Sequence, residues 1–493
     1  MSWSIRIPQH LYEQLRSHLH QADRDEHAAF LFAGLASIND ERRLLVRRVE
    51  PISAQDFGPS DRGAYRQVAS RAIAAAARTC EERGERLLWA HSHPGARSRV
   101  AFSEDDLATH RRAHPHLIDM TGGRAVTSLV MGTDAAAGEV WAPNGDVSPV
   151  DHVDVVGARI ERLTPAPTRG AGSTAARFDR QVQMFGREGQ EALRRTTVAV
   201  VGAGGGGSLL VQSLAHLGVG RLIVLDFDRV EASNLSRIVG ARPRDARVLR
   251  PKIAVAERLV RSVDPGIVFD GHPCDITYVD DARRLLEADF IFSASDTQFA
   301  RFAFNAVCHQ YLIPGAQVGA KVMADSRGHL RLAYAMHRPV DLAGACLECG
   351  GAIGAEALRK EQLSDDERKG QQYVGLDEVE VIRDPSVITL NAASTAMAML
   401  DFQFSITGQH PPYTRLHQRL YHAPERELRE REMLPGDRCR WCGRGEEGGA
   451  SYGRGDDQPL PLRPGSSAGL VRIPWRQRFQ GARLGRREAI ENV

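Results

Sequence analysis

The 493-residue sequence contains no apolar run that approaches the roughly 18 residues of a membrane span, and its start, MSWSIRIPQHLYEQL, lacks the apolar core of a signal peptide. It also lacks an excess of either charge: 64 lysines and arginines stand against 62 acids, for a net charge of +2. We therefore expect a cytoplasmic protein with no membrane or nucleic-acid partner. The apolar fraction of 42% suffices for buried cores, and the length indicates two or three domains.

Cysteine is scarce, with seven residues in the whole chain. Four of them form two Cys-x-x-Cys pairs, Cys346 with Cys349 and Cys439 with Cys442. In a reducing compartment this spacing indicates a metal site before it indicates a disulfide. The two pairs lie far apart in the chain, so spacing alone leaves open whether they meet.

Composition and patterning divide the chain into four parts, and the whole is predicted to be an α/β protein. Residues 1–158 alternate predicted helices and strands, and 159–176 form a linker rich in Pro, Gly, Ser and Thr. Residues 177–445 show strand, helix and strand in succession, which predicts a parallel sheet. Residues 446–493 are rich in Gly, Pro, Arg and Ser, so we expect a disordered tail, although its arginines with Trp475 and Phe479 could dock a partner.

The segment HSHPGARSRVAFSEDD, residues 91–106, places two histidines one residue apart and three acids at its end. A hydrolytic zinc site needs three protein ligands and one open position for water, and two imidazoles plus a carboxylate meet that need. A solvated polar loop is the alternative, because His-x-His also occurs by chance.

The fuller pattern resembles the JAB/MPN metalloprotease family: a distant glutamate, then His-x-His-Pro, then Ser-x-x-Asp. The resemblance covers about residues 1 to 150 and implies an α/β metalloprotease domain that cleaves peptide or isopeptide bonds after the C-terminal glycine of ubiquitin-like proteins. It implies catalytic zinc held by His91, His93 and Asp106, with Glu26 as general base and Ser103 as a helper for the oxyanion. The Ser-x-x-Asp spacing favours Asp106 over its acidic neighbours at 104 and 105.

A glycine-rich loop, VGAGGGGS, follows a predicted strand and precedes a predicted helix. It contains G-x-G-x-x-G as Gly202, Gly204 and Gly207, with Gly205 inside the loop, and such loops let the backbone approach phosphates at a helix N-terminus. Asp226 ends the next strand, near the distance at which an acid binds ribose hydroxyls. By itself this pattern serves NAD and ATP equally.

The neighbouring residues favour ATP, because they would gather polar and positive groups around a triphosphate. They are Asp228, Asn234, Arg237, Lys252 and Asp296. With RFDRQ, GAGGGGS, DFD, SNLSR and SASD, these residues make the stretch 177–445 resemble the ThiF/MoeB and ubiquitin-activating enzyme family.

That second resemblance implies a Rossmann-like adenylation domain that uses ATP and magnesium. It assigns Asp226 to the ribose, and Asn234, Arg237 and Lys252 to the phosphates and magnesium. It also places Asp296 near the reacting phosphate and its metal. In the family, the residue at Arg180 reaches into the active site of a second subunit, which implies a homodimer. The family further implies a structural zinc bound by the four paired cysteines.

Many members of this family carry a catalytic cysteine after the first zinc-binding pair, and this chain has none between residues 350 and 438. We therefore expect adenylation without a thioester on that loop. Cys274 as a relocated nucleophile is the alternative. Cys80 and Cys308 stand in apolar surroundings that favour packing.

Together these patterns predict a bifunctional enzyme whose two activities share one substrate, a small ubiquitin-like or sulfur-carrier protein ending in glycine. One half would trim or remove that protein, and the other would adenylate it for a conjugating enzyme or a sulfurtransferase. The pathway could be bacterial conjugation in antiviral defence, or sulfur transfer. The rival hypotheses are adenylation of a short peptide in natural-product synthesis, a non-catalytic scaffold for a ubiquitin-like partner, and, more remotely, an NAD dehydrogenase.

Overall fold

Two large sheets organise the chain in the computed structural model, which describes residues 2–23, 25–57, 67–167, 175–324, 329–362, 386–411, 414–445 and 447–467. Each sheet is packed with helices, so the predicted α/β fold class is confirmed. Among the described residues, none of the helices combines the length and the apolar character that crossing a bilayer requires.

The first sheet has nine strands in the order β7-β6-β5-β4-β2-β3-β1-β8-β9. Its strands are β1 (Ser2–Pro8), β2 (Ala28–Ile38), β3 (Glu41–Pro51), β4 (Arg86–Ser92), β5 (Val126–Met131), β6 (Ala136–Trp141), β7 (Val147–Pro149), β8 (His152–Val156) and β9 (Glu161–Leu163). Its helices are α1 (Gln9–Leu19), α2 (Ser70–Arg83) and α3 (Glu104–Met120). Strand β9 pairs with β8 and falls inside the stretch predicted to be a linker.

Strand β2 is a central strand of this half: it is apolar almost throughout and pairs with a neighbouring strand on each side. It lies antiparallel to β3 and to β4, with Ala28 opposite His91 and Ala33 opposite Arg86. A strand buried on both faces reads as a continuous apolar run, as AAFLFAGLASI does. This register brings the start of β2 beside the histidines at the end of β4.

The second sheet has eight strands in the order β12-β11-β10-β13-β14-β15-β16-β17. The strands are β10 (Thr197–Val201), β11 (Arg221–Leu225), β12 (Val268–His272), β13 (Phe290–Ser293), β14 (Gly315–Ala324), β15 (Leu330–Val340), β16 (Gln418–His422) and β17 (Glu427–Arg431). The helices are α4 (Asp179–Arg195), α5 (Gly205–Leu217), α6 (Pro243–Arg247), α7 (Lys252–Val263), α8 (Val279–Ala282), α9 (Gln298–Gln310), α10 (Ala355–Gln362) and α11 (Ile388–Ile406).

The five strands from β12 to β14 are parallel, and the remaining strands are antiparallel. In a parallel sheet all the carboxyl ends meet at one edge, which is where ligands bind in folds of this kind. The loops after β10, β11 and β13 therefore share an edge, and these loops carry the residues predicted to bind the nucleotide.

One hydrophobic cluster joins the two halves of the molecule. Ala36, Ile38 and Leu45 of the first sheet belong to the same buried cluster as Leu286 and Ile291 of the second half. The contact between the halves is therefore a continuous apolar core, and not a loose tether.

Residues 447–467 are folded against both halves, which differs from the expectation of a disordered tail over 446–493; residues 446 and 468–493 lie outside the described residues. The backbone N–H of Gly455 donates to the carbonyl of Gln310 at 2.8 Å, and the N–H of Asp456 donates to the carbonyl of Leu35 at 2.7 Å. These bonds connect the segment to the second half and to β2 respectively. Leu460 of the segment is also buried in the cluster that joins the halves, with Tyr452 and Leu462 packed against it.

Glycine makes this close contact sterically feasible. A Cβ atom added at Gly34 would lie 2.2 Å from the carbonyl oxygen of Gly453. A side chain at residue 34 would therefore keep β2 and the segment 447–467 apart. Trp475 and Phe479, which were predicted to be able to dock a partner, lie outside the described residues.

Candidate metal and nucleotide sites

The three predicted zinc ligands of the first half lie together. Nε2 of His91 is 3.3 Å from Nε2 of His93, and it is 3.3 Å from Oδ1 of Asp106. Nε2 of His93 is 3.2 Å from Oδ2 of Asp106. A tetrahedral zinc site with bonds of about 2.0 to 2.1 Å has edges of about 3.3 to 3.4 Å. The triad therefore has the size and the donor set of a zinc site with one position left for water.

Helix α3 begins at this triad, and its N-terminal cap fixes the third ligand. Ser103 is the N-cap residue: its hydroxyl accepts the N–H of Asp106 at 3.1 Å, while the Asp106 carboxylate accepts the N–H of Ser103 at 2.8 Å. This reciprocal pair is the capping box that Ser-x-x-Asp predicts. The Ser103 hydroxyl also lies 2.7 Å from the Asp106 carboxylate, so in this structure it orients a ligand. Its assistance to an oxyanion stays a prediction.

The charges within the triad support one another. Burial acts to raise the pKa of Asp106, but the hydrogen bonds from His91 and His93 outweigh it and hold that pKa well below its ordinary value. The bond to Asp106 in turn raises the pKa of His93. Asp106 is therefore an ionised carboxylate, the form in which it would bind a cation.

Glu26 faces the triad from the loop that precedes β2. The segment is fastened to the end of β4, because the N–H of Ser92 donates to the carbonyl of His27 at 3.0 Å and the N–H of His27 donates to the hydroxyl of Ser92 at 3.1 Å. Burial raises the pKa of the half-buried Glu26, with His91 and His93 opposing and Asp106 reinforcing the shift. A carboxyl beside a metal site with a raised pKa suits a group that must take up and release a proton.

A second set of polar side chains beside the triad was not foreseen from the sequence. His110 Nδ1 lies 2.6 Å from Oε1 of Glu139, which also accepts the indole N–H of Trp141 at 2.8 Å. His114 is hydrogen bonded through both ring nitrogens, to the carbonyl of His110 and to the hydroxyl of Ser128. Although these residues could hold a metal by proximity, their bonds are satisfied within the protein. They anchor α3, and the signal for them was the i, i+4 spacing that continues from Asp106.

The glycine loop lies between β10 and α5, as predicted. Gly202 has φ of 88°, a conformation that favours glycine, and a Cβ added at Gly207 would lie 1.7 Å from the carbonyl oxygen of Gly202. Gly204 is the N-cap of α5, and Gly205 is its first residue. The loop is therefore tight for steric reasons, and the free N–H groups of the helix start point out of it.

Asp226 lies beside this loop at the end of β11. Its carboxylate accepts the N–H of Ala203 at 2.7 Å and the N–H of Asp228 at 2.7 Å. Burial raises its pKa to about 6, while the charge of Lys252 and both backbone bonds act to lower it. The Lys252 ammonium donates to Asp228 at 2.7 Å and lies 4.0 Å from Asp226. The Asp226 carboxylate and the Lys252 ammonium are thus close enough to contact the same bound nucleotide.

The other predicted phosphate ligands lie around the same edge but are less closely joined. Asn234 is buried and accepts the N–H of Glu231 at 3.1 Å, whereas Arg237 donates to the carbonyl of Ser233 at 2.9 Å. The Arg237 side chain approaches Gly205, since its Cδ is 3.3 Å from where a Cβ would stand. The Arg237 side chain is therefore beside the loop, whereas the Asn234 side chain caps the short turn at Glu231.

Asp296 is exposed in the loop after β13. It is close enough to raise the pKa of Lys252, for which burial acts in the opposite direction. Arg301, five residues further, was not singled out from the sequence, although Asp296 also acts on its charge. Its place in the first turns of α9, directly after the SASD motif, could have pointed to it.

Arg180 is exposed on α4 and lies away from the glycine loop of its own chain. The next residue, Gln181, donates to the carbonyl of His216, near the C-terminal end of α5. Thirteen residues of helix separate that end from the loop, a length of about 20 Å. The structure therefore does not bring Arg180 to this chain's own nucleotide loop.

The four paired cysteines come together across the second half. The Sγ atoms of Cys346 and Cys439 are 3.6 Å apart, and those of Cys442 and Cys349 are 3.7 Å apart. A tetrahedral site with Zn–S bonds of about 2.3 Å has edges of about 3.8 Å, so this cluster could bind zinc with no position left open. Trp441, fully buried between the second pair, donates its indole N–H to Glu348 at 3.1 Å.

Cys274 is unsuited to act as a relocated nucleophile. It is buried in the apolar cluster between the halves, and burial raises its pKa to about 12. Burial likewise raises the pKa of Cys80 to about 12 and that of Cys308 above its ordinary value. A thiol that stays protonated near neutral pH is a poor nucleophile. Residues 363–385, part of the cysteine-free stretch, lie outside the described residues.

Comparison with known proteins accords with both halves of this geometry. The profile of the ThiF family matches residues 178–440, more than half of the chain, and that of the prokaryotic homologs of the JAB domain matches residues 8–139. Both resemblances drawn from the sequence are thereby confirmed.

Individual relatives match only in part. Ubiquitin-like modifier-activating enzyme 5 of Xenopus laevis is 31% identical over 157 residues, covering 29% of this chain and 38% of that protein. The sulfur carrier protein adenylyltransferase of Thermus thermophilus is 38% identical over 131 residues, covering 26% of this chain and 48% of that protein. The chain thus spans less than half the length of these two relatives.

Among solved structures, the E. coli protein MccB with ATP is 20% identical with a TM-score of 0.43, covering 55% of this chain and 75% of that one. The two family profiles together extend over more of the present chain than any of these three proteins does. The chain belongs to the ThiF family and carries, ahead of its ThiF region, a domain homologous to the prokaryotic JAB domains.

Proposed function

We propose that the chain adenylates the C-terminal glycine of a ubiquitin-like or sulfur-carrier protein and that its N-terminal domain cleaves bonds after that same glycine. The observation that carries the first part is the meeting of the glycine loop, Asp226 and Lys252 at one sheet edge in a ThiF-family chain. The names of the two relatives support a partner of this kind.

In the adenylation step, a carboxylate oxygen of the carrier attacks the α-phosphorus of ATP, and pyrophosphate leaves as the acyl-adenylate forms. The glycine loop would hold the phosphates through backbone N–H groups, and Asp226 would accept the ribose hydroxyls. Lys252, Asn234 and Arg237 would offset the charge that builds on the phosphates. Magnesium belongs to this proposal, and Asp296 is the residue we assign to it.

In the cleavage step, zinc held by His91, His93 and Asp106 would lower the pKa of a bound water towards neutrality. Glu26 would accept the proton from that water and pass it to the departing amine, which its raised pKa allows. Ser103 would keep the Asp106 carboxylate oriented through the cap of α3.

The acyl-adenylate would pass directly to an external nucleophile, since Cys274 is buried and residues 350–438 contain no cysteine. A conjugating enzyme or a sulfurtransferase could supply that nucleophile. Arg180 is exposed and distant from its own loop, which accords with a homodimer in which it serves the second subunit. Sedimentation analysis would test the dimer directly.

Pyrophosphate exchange tests the central assignment. The full chain, with ATP, magnesium and a panel of small proteins ending in Gly-Gly, should exchange labelled pyrophosphate into ATP, and Asp296→Ala should abolish that exchange while leaving cleavage intact. The exposed Asp280→Ala is the matched control. Exchange with short peptides and with none of the proteins would contradict the carrier assignment, and unchanged exchange in Asp296→Ala would remove that residue from the mechanism.

A further inference from the structure

The zinc-ligand triad lies at one end of strand β2, and the contacts of β2 with the second half lie towards the other end. Ala28, the first residue of β2, pairs with His91. Further along, Leu35 and Ser37 bond to Asp456 through its N–H and its carboxylate respectively. Seven residues of extended strand from Ala28 to Leu35 span about 23 Å. The triad is therefore remote from these contacts.

The nucleotide loop is turned away from the N-terminal half as well. Arg162 lies 3.8 Å from the carboxylate of Asp289, and Arg43 donates to the carbonyl of Leu286 at 3.5 Å. Asp289 immediately precedes β13, so these contacts lie at the amino ends of the parallel strands. The glycine loop follows the carboxyl ends, which at Ser293 are about 13 Å further along the strand. The N-terminal half thus packs at the edge opposite the predicted nucleotide.

The ordered segment 447–467 holds the two halves in this arrangement. Arg283 of the second half donates to Asp456 at 2.7 Å, and the same carboxylate group accepts an N–H from β2. Asp457 forms an ion pair with Arg86, at the start of β4 and away from its histidines. Because the segment bonds to both halves along its length, a rotation that brought the two sites face to face would break these bonds and the shared core.

We propose, on the basis of the function proposed above, that the two sites act in separate encounters and that the trimmed carrier is released into solution before it is activated. Hydrolysis after the glycine consumes one water and yields a carboxylate on the carrier and an amine on the departing group. The carboxylate must then reach ATP at the far edge of the second sheet. A carrier held at the triad has its C-terminal tail directed there, so it must dissociate and bind again.

This arrangement makes the enzyme indifferent to where a carrier was trimmed. Carrier released from a conjugate, carrier matured by another protease and carrier trimmed by this chain all enter one pool. The activation site draws from that pool by concentration. The chain therefore recycles its substrate through solution and does not pass it from site to site.

An isotope-dilution experiment tests release. The full-length protein receives ATP, magnesium, and an unlabelled extended form of the Gly-Gly protein that supports pyrophosphate exchange, together with an excess of its isotopically heavy mature form. Hydroxylamine traps the acyl-adenylate as a hydroxamate, which mass spectrometry resolves into light and heavy forms. We expect light hydroxamate to appear after a lag and to be diluted in proportion to the heavy pool. Light product without lag or dilution would overturn the proposal, whether the transfer ran within one subunit or between two.

Separate controls distinguish this inference from the function on which it depends. Cleavage of the extended form without ATP, and exchange with the mature form alone, measure each half-reaction. If either fails, the proposed function fails. If both succeed, the lag and the dilution decide the inference alone. A mixture of Glu26→Gln and Asp296→Ala proteins should match the coupled rate of wild-type protein at equal numbers of active sites, and a lower rate would contradict release.

Discussion

The two candidate sites differ in how far the protein alone assembles them. The zinc triad is closed on itself, since each ligand atom lies within 3.3 Å of another and Ser103 fixes Asp106 through a helix cap. The nucleotide site is assembled around its glycine loop, but Asp296 and Arg180 are exposed. A hydrolytic site must hold a small ion at fixed distances. A nucleotide site can leave ordering to a ligand that spans many groups.

Loss of the proton carrier should be the largest effect at the closed site. We expect Glu26→Gln to lower cleavage by about 10²- to 10⁴-fold, because proton transfer is lost while the three zinc ligands remain. Bound zinc, measured by atomic absorption, should be unchanged. Asp105→Asn, an exposed acid in the first turn of α3, is the matched control and should cleave normally. Wild-type cleavage in Glu26→Gln would remove the assigned base.

Loss of the cation at the open site should be the next largest effect. Lys252→Ala removes the ammonium that contacts Asp228, leaving the negative charges of Asp226 and Asp228 to repel phosphates. We expect ATP affinity to fall about 10- to 100-fold, as for loss of a hydrogen bond to a charged group. Isothermal titration measures it, with the exposed Lys360→Ala as control. Equal affinity in Lys252→Ala would count against a triphosphate at this edge.

The cap serine should have a smaller effect, confined to metal binding. Ser103→Ala removes the hydroxyl that orients Asp106, and loss of such a supporting bond typically weakens metal binding about 10- to 100-fold. A competition titration with a zinc chelator measures this. Ser53→Ala removes the same type of bond, from a serine to Asp56, at an exposed turn that contributes no ligand to the triad. If both variants bind zinc alike, the cap does not tune the site.

Acidification should produce a small effect at the nucleotide site. Burial raises the pKa of Asp226 to about 6, so its carboxylate becomes protonated below that pH and accepts ribose hydroxyls less well. We expect the Kd for ATP to rise by at most about tenfold per pH unit below 6. Titration of Asp226→Asn subtracts the protonation of ATP itself. A difference that does not vary with pH would contradict the assignment.

The raised pKa of Asp226 also makes the stability of the fold depend on pH. Because the folded-state pKa of Asp226 lies above its ordinary value of 3.8, the ionised carboxylate disfavours the fold. This cost is fully present above about pH 6 and disappears as the pH falls through the ordinary pKa. Asp226→Asn should therefore be relatively more stable at pH 8 than at pH 4.

Local patterns predicted much of both sites. The Ser-x-x-Asp cap and the glycine loop are specified by residues within one turn of each other, and the structure forms both. The α/β character followed from apolar periodicity in the same way. Cys346 and Cys439 are 93 residues apart, so predicting that they meet required a family resemblance, because no local rule joins them.

Contacts that depend on the tertiary fold were missed. The segment 447–467 has the composition of a disordered tail, yet its backbone pairs with both halves where glycines permit close approach. His110 of α3 and Glu139 of β6 meet because the tertiary fold places the helix beside that strand, which helical spacing alone could not show. Backbone pairing between distant segments and the packing of helices beside strands both depend on the tertiary fold, and a single sequence does not show them.

The shared core has a practical consequence for anyone wishing to dissect this protein. If residues 1–167 were produced alone, the fragment would expose Ala36, Ile38 and Leu45 to solvent. This exposed apolar surface would favour aggregation of the fragment. If the chain were instead cleaved between residues 167 and 175, we expect the two pieces to stay associated through the buried apolar contacts between the halves.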